Sequence, residues 1–239
     1  MRIGIIAALP GELKPLVRRW PKMPVARGSG IAMWQTERNG NEVVAVCAGI
    51  GGAAARRAFV AAEFAGSLDM VLSVGWAGAL TDSDNLSPVT TEIIDAQTGE
   101  RFSLTEGNRK LRLVTTIQVA DAAEKRRLAA SYGAVAVDME AATVARLAQM
   151  RGIPMCCFKA ISDGLDANLP DLNPFIDVDG KLKIASLLAH VAVRPQYWGP
   201  LVEMGRRSAR ASRALAKTIE LFLSDPNVER WNRQGGAKA

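Results

Sequence analysis

Five short stretches of this 239-residue chain combine polar groups with turns that could aim them. They are Glu12 behind Pro10-Gly11, the glycine turn Gly49-Ile50-Gly51-Gly52, a second turn Gly75-Trp76-Ala77-Gly78, Glu140 within an apolar run, and Asp163 in Ser162-Asp163-Gly164. The chain has one histidine (His190) and no Cys-x-x-Cys pair, which argues against a His/Cys metal site or a histidine-centred triad. Acid–base chemistry therefore falls mainly to carboxylates. Glu140, between Val135-Ala136-Val137 and Ala141-Ala142-Thr143-Val144, and Asp163, behind a similar run, should each be paired or employed. Glu12 has an ordinary alternative as a solvated first-turn residue. The turn at 49–52 could offer backbone N–H groups to an anion, or serve only as a tight strand-to-helix connection.

These positions lie at the ends of elements that read as short apolar runs. Residues 2–9, 43–48, 70–74, 90–95, 111–119, 134–137 and 154–161 are predicted strands. Residues 12–20, 53–65 (closed by Gly66), 121–130 and 139–150 are predicted helices. Alternation of this kind indicates an α/β class with a largely buried sheet, in which ligands bind beyond the carboxyl ends of strands. Past residue 165 come a loop rich in Pro, Asp and Asn (166–180), a short helix at 184–193 stopped before Pro195, and a longer helix at 206–223. Residues 1–225 read as a single domain, with a basic C-terminal segment at 168–225 and a flexible tail at 226–239.

Hydrophobic residues make up 49% of the chain and charged residues 23%, which excludes global disorder. No run approaches the ~20 apolar residues of a spanning helix, and the apolar start is too short for a secretory leader. Cys47, Cys156 and Cys157 lie in apolar runs and read as reduced thiols, hence a cytoplasmic location. The net charge of +6 is uneven: residues 1–180 are nearly balanced, and 181–239 hold an excess of seven positive charges. Arg206, Arg210, Arg213 and Lys217 fall on one helical stripe, with Leu215, Ile219 and Phe222 on another. The pattern suits peripheral contact with an anionic membrane, or a domain-packed helix with solvated arginines. It lacks interleaved aromatics, so no nucleic-acid partner is expected.

In order and spacing, the pieces resemble the nucleoside phosphorylase/nucleosidase superfamily, above all its methylthioadenosine/S-adenosylhomocysteine nucleosidase branch. They are Met1-Arg2-Ile3-Gly4-Ile5-Ile6-Ala7-Ala8-Leu9 with Glu12, Ala48-Gly49-Ile50-Gly51, Gly75 with Ala77-Gly78, Val137-Asp138-Met139-Glu140-Ala141, and Ala160-Ile161-Ser162-Asp163. The resemblance implies a three-layer α/β/α sandwich with a mixed central sheet. It also implies a homo-oligomer, with a dimer favoured, and cleavage of a purine N-glycosidic bond without metal or cofactor. By that resemblance Glu12 activates the attacking water and Asp163 supplies the proton that lets the purine leave through N7. Met139 and Glu140 hold the ribose, and Ile50, Gly51, Trp76, Ala77, Gly78 and Ser162 line the site. The chemistry agrees: an oxocarbenium-like state calls for one carboxyl at the leaving base and another at the nucleophile.

Three departures matter. Trp76 replaces the family serine, Lys159 replaces an arginine, and residues 115–119 lack the aromatic that borders the purine. They point away from compact methylthioadenosine specificity. Pro10-Gly11-Glu12 puts a carboxylate where phosphorolytic relatives hold phosphate, so hydrolysis is expected over phosphorolysis. Arg56 is the candidate phosphate-binding residue if phosphate is a co-substrate, its ordinary alternative being a solvated helix face. Residues 168–205 look like an insertion. Through Leu169-Pro170, Asp177-Val178-Asp179-Gly180-Lys181 and Arg194-Pro195 they resemble hopanoid-associated phosphorylases, implying adenosylhopane as candidate substrate. The alternatives are a methylthioadenosine/S-adenosylhomocysteine nucleosidase and a nucleoside-binding protein without catalysis.

Overall fold

The computed structural model describes residues 1–81, 89–104, 111–167 and 169–225; the tail expected at 226–239 lies outside the described residues. The chain forms a three-layer α/β/α sandwich. Its mixed sheet runs β2 (Ala32–Arg38), β3 (Asn41–Cys47), β1 (Arg2–Ala7), β4 (Met70–Ala79), β9 (Ala136–Asp138), β8 (Arg112–Thr115), β6 (Glu92–Asp95), β7 (Arg101–Ser103). β10 (Met155–Asp163) pairs with β4 and with the short β5 (Val89–Thr90).

Both faces of the sheet are buried, so apolar residues continue along each strand while their destinations alternate. On β1 and β3, Ile3, Ile5, Val43 and Ala45 pack beneath α1 (Pro10–Val17) and α6 (Trp198–Ser224). Ile6, Val44 and Val46 face α2 (Gly52–Phe64) and α4 (Ala141–Met150). Each of the Val and Ile side chains, fully buried, contributes ~1.5–3 kcal/mol. A third cluster, Leu80, Ile94, Val114, Leu128 and Val137, lies under α3 (Ala122–Tyr132).

β4 is the organising strand. β10 runs parallel to it from Val71 to Gly78, so its other edge is shared: β1 pairs with Met70–Ser73, and β9 pairs antiparallel with Gly78 and Ala79. Between them the strands diverge and leave a gap opposite residues 74–77, beyond the carboxyl end of β1. The functional groups converge at this fork.

The structure corrects several boundaries. Gly75-Trp76-Ala77-Gly78 continues β4 and does not end it, because β10 supplies ladder partners throughout. The strand expected to reach residue 119 stops at Thr115. β2 escaped notice because AMWQTER is a polar, half-exposed edge sequence without a continuous apolar run. α6 starts at Trp198, eight residues before the predicted 206; Pro200 sits in its first turn, where a missing N–H costs little. Its basic residues Arg206, Arg210, Arg213 and Lys217 are exposed, while Leu215 and Ile219 are buried in the domain, so that apolar stripe is core. α5 (Ile184–Ala192) lies close to its expected position.

Candidate active site

α1 begins with Pro10, whose absent N–H and fixed φ suit the first helical turn. This places Glu12 pointing back at the end of β1. One carboxylate oxygen accepts from Ala8 N–H (2.9 Å) and Leu9 N–H (2.8 Å), and the other accepts from Trp76 N–H (2.8 Å) in the gap along β4. Gly75 permits this approach, since a Cβ there would stand 2.7 Å from Glu12 Oε1. Burial raises the Glu12 pKa above its ordinary value, against the opposing pull of Lys159 and the three N–H groups. A carboxylate offers about four acceptor positions, so roughly one remains for a further donor such as water.

Asp138 and Thr115 build the start of α4. Thr115 Oγ1 donates to Asp138 Oδ1 (2.6 Å) and accepts from Ala142 N–H (3.1 Å), and Asp138 Oδ2 accepts from Ala141 N–H (2.9 Å). Two otherwise unpaired N–H groups of the helix end are thereby satisfied. Lys159 on β10 reaches the same carboxylate at 2.8 Å, with both side chains inaccessible to solvent or nearly so. Burial works against its charge, yet Asp138, with Cys157, Glu140 and Glu12, holds its pKa above the ordinary lysine value.

Glu140 follows two residues on. Its carboxylate accepts from Gly51 N–H at 2.6 Å, so the glycine turn clasps a side chain of the protein. Burial and the neighbouring Asp138 push its pKa up to about 7. In the unfolded chain the group titrates near 4.5, so folding carries an increasing cost as pH rises from about 4.5 to 7. Glu140→Gln can keep the Gly51 contact and removes that cost. The variant is therefore expected to melt above wild type at pH 8 and to show a flatter pH dependence between pH 5 and 8. Thermal unfolding across that range checks this; a parallel displacement of both curves would contradict it.

At the end of β10, Asp163 is ion-paired with Lys125 of α3 and accepts from Ser162 Oγ at 2.7 Å. Lys125 also donates to Gly164 O at 2.7 Å. Asp121 caps α3 by accepting from Glu124 N–H, and Gly133 ends it in the left-handed conformation, which fixes the turn that projects Lys125. Lys125 was not among the residues expected from the sequence.

These groups surround a cavity of about 240 Å³. Glu12, Ile50, Trp76, Ala77, Gly78, Met139, Glu140, Ser162 and Asp163 all border it, and Gly51 touches it through Glu140. Arg56 does not. It is exposed on α2 and borders an outer groove instead. Its neighbour Arg57 ties Ala48 O to Asp179 O, at 2.9 and 2.5 Å. Trp76 both lines the cavity and packs into the core, with its indole N–H donating to Ser212 Oγ of α6 at 2.9 Å. The segment after β10 supplies an apolar wall of Leu169, Leu172, Ile176, Leu182 and Met204, docked through Ile50 N–H to Gly180 O (2.8 Å). Among the described residues no His, Cys, Asp or Glu cluster is arranged to hold a metal, and no helix is long and apolar enough to cross a membrane.

A forked sheet with buried carboxylates at its divergence defines a class. Residues 2–96 and 98–193 match the Phosphorylase superfamily, and the chain belongs to that family, whose nucleosidases and phosphorylases cleave N-glycosidic bonds. None of the curated proteins matches the chain in sequence. Among solved structures, the 5′-methylthioadenosine/S-adenosyl homocysteine nucleosidase of Helicobacter pylori shares 17% identity, with a TM-score of 0.68 over 93% of this chain and 97% of its own. Futalosine hydrolase of Helicobacter pylori strain 26695 shares 16%, with a TM-score of 0.68 over 96% and 98%. The 5′-methylthioadenosine nucleosidase of Arabidopsis thaliana shares 16%, with a TM-score of 0.70 over 95% and 98%.

Proposed function

We propose that this protein hydrolyses the N-glycosidic bond of an adenine nucleoside bearing a large apolar 5′ substituent, with adenosylhopane as the candidate substrate. The observation that carries this reading is a cavity lined both by the carboxylates Glu12, Glu140 and Asp163 and by the apolar Leu169, Leu172, Ile176, Leu182 and Met204. Glu12 holds the attacking water through its remaining acceptor position. Glu140 bonds the ribose hydroxyls beside Met139, and its ionised form favours the cationic sugar. Asp163 and Ser162 face the base. No arginine borders the cavity among the described residues, and the one lysine there is paired with Asp163, which supports water over phosphate as nucleophile.

A cavity near 240 Å³ falls below the ~300–1,000 Å³ of most small-molecule sites, so a long 5′ group must run out along the apolar wall. Each ~100 Å² of tail buried there contributes about 2.5 kcal/mol, roughly 70-fold in affinity. Adenosines with long apolar 5′ groups are therefore expected to outcompete methylthioadenosine by kcat/KM. If methylthioadenosine wins, the compact methylthioadenosine/S-adenosylhomocysteine nucleosidase reading, which the structural neighbours favour, takes its place.

The same segment supports a membrane-peripheral, cytoplasmic location. Its outward side exposes Ile184, Leu188, Val193, Trp198 and Val202 among Lys181, Lys183, Arg194, Arg206 and Arg210. Apolar residues in a basic frame complement an anionic lipid surface. Flotation with anionic vesicles is expected to be salt-sensitive and weakened by Leu188→Gln with Trp198→Gln; no binding at low salt would contradict it. A homodimer is supported by the outer groove, where Met23, Ile31, Val60, Phe64 and Met150 present apolar surface.

A further inference from the structure

We infer that Lys125, rather than Asp163, delivers the proton to the departing base, with Asp163 as its counter-ion and aiming group. The inference rests on the glycosidic reading above. Lys125 lies on the inward face of α3 with the fully buried Leu128, while its neighbours Glu124, Arg126 and Arg127 are half or largely exposed; its own side chain is 4% exposed. Taking an ammonium ion and a carboxylate out of water is costly, and fold stability alone gives little reason to do it. The protein also makes room for the pair. A Cβ at Gly78 would stand 3.0 Å from Lys125 Cε and 3.2 Å from Asp163 Oδ2.

Both Asp163 oxygens are already engaged within the protein, one with Ser162 Oγ and the other with the Lys125 ammonium. Lys125 has three N–H donors. Asp163 and Gly164 O take two, and the third is left at the wall of the cavity that Lys125 shares with Asp163, Gly78 and Val137. As the C1′–N9 bond breaks, its electron pair passes to the purine, and N7 takes a proton from the Lys125 ammonium. Water adds to C1′ and gives its proton to Glu12. Lys125 also borders a wide outer groove beside Thr116, Asp121 and Asp166, through which solvent returns the proton to the amine, while Glu12 gives its own back to water.

The test compares two substrates carrying the same 5′ group: the adenine nucleoside, and a 4-nitrophenyl riboside whose leaving group departs without protonation. Lys125→Met is expected to lower kcat on the nucleoside by ~10²–10⁴-fold and to leave the nitrophenyl riboside little changed. Lys125→Arg keeps the charge and the pairing with Asp163, but a guanidinium does not release its proton, so it is expected to be as slow as Met on the nucleoside. Full nucleoside turnover in Lys125→Met, rescue by Arg, or an equal loss on both substrates would overturn the inference and leave the glycosidic reading standing. A wild-type protein that releases adenine from no adenosine derivative would overturn both.

Discussion

Glu12→Gln is expected to slow glycoside cleavage by ~10²–10⁴-fold in a protein that remains folded, the size of a lost general base. Glu12 has three of its acceptor positions filled by the N–H groups of Ala8, Leu9 and Trp76. Glutamine places an NH₂ group where an oxygen stood, so one backbone donor faces a donor, at about 1–3 kcal/mol. The amide also cannot take the proton of the attacking water. Burial that raises the Glu12 pKa strengthens it as a base and moves the acid limb of the pH–rate profile above the ordinary glutamate value of 4.5. Adenine release at saturating substrate, measured beside the unfolding midpoint, checks both halves. Near-wild-type turnover in Glu12→Gln would remove Glu12 from the chemistry.

Lys159→Met is expected to be the most destabilising single change at the site, by ~3–5 kcal/mol at pH 8. Lys159 lies 2.8 Å from an Asp138 carboxylate whose side chain has no solvent exposure, and Glu12 and Glu140 add negative charge nearby. Methionine fills similar volume and leaves three buried carboxylates without their shared cation. The pKa values of Glu12 and Glu140, already raised by burial, then lose the opposing pull of Lys159 and rise further, so protonation at low pH relieves the strain and the loss should grow as pH rises from 5 to 8. Urea unfolding at the two ends of that range measures it. A loss below about 1 kcal/mol at pH 8, or one independent of pH, would show that Lys159 does not hold these charges together.

Much of the frame was legible because the buried strands β1, β3 and β10 are short, continuous apolar runs that no polar periodicity disguises. Glu12, Glu140 and Asp163 drew attention for the same reason, as carboxylates beside such runs. Glycine misled at residues 75–78: it reads as a turn, whereas at Gly75 and Gly78 it clears space for Glu12 and for the Lys125–Asp163 pair. Lys125 was hidden among Glu124, Arg126 and Arg127, and its one local clue is a spacing of three from the fully buried Leu128, which puts both on the inward face of α3. Asp138 passed as a strand end, because its cation and its helix N–H partners come from distant or later residues. Arg56 and Arg57 were indistinguishable in sequence, and the structure turns only Arg57 toward the glycine turn. The apolar wall from 169 to 204 carries no motif at all, since its residues meet only when the segment folds back over Ile50.

The central claim is that water, held by Glu12, cleaves the bond between adenine and a ribose with an apolar 5′ arm. Mass spectrometry of the products formed from a 5′-alkyl adenosine, with inorganic phosphate present, tests it most directly. The expected result is free adenine with the corresponding free 5′-alkyl ribose. A sugar 1-phosphate in place of the free sugar, or intact nucleoside after prolonged incubation, would contradict it.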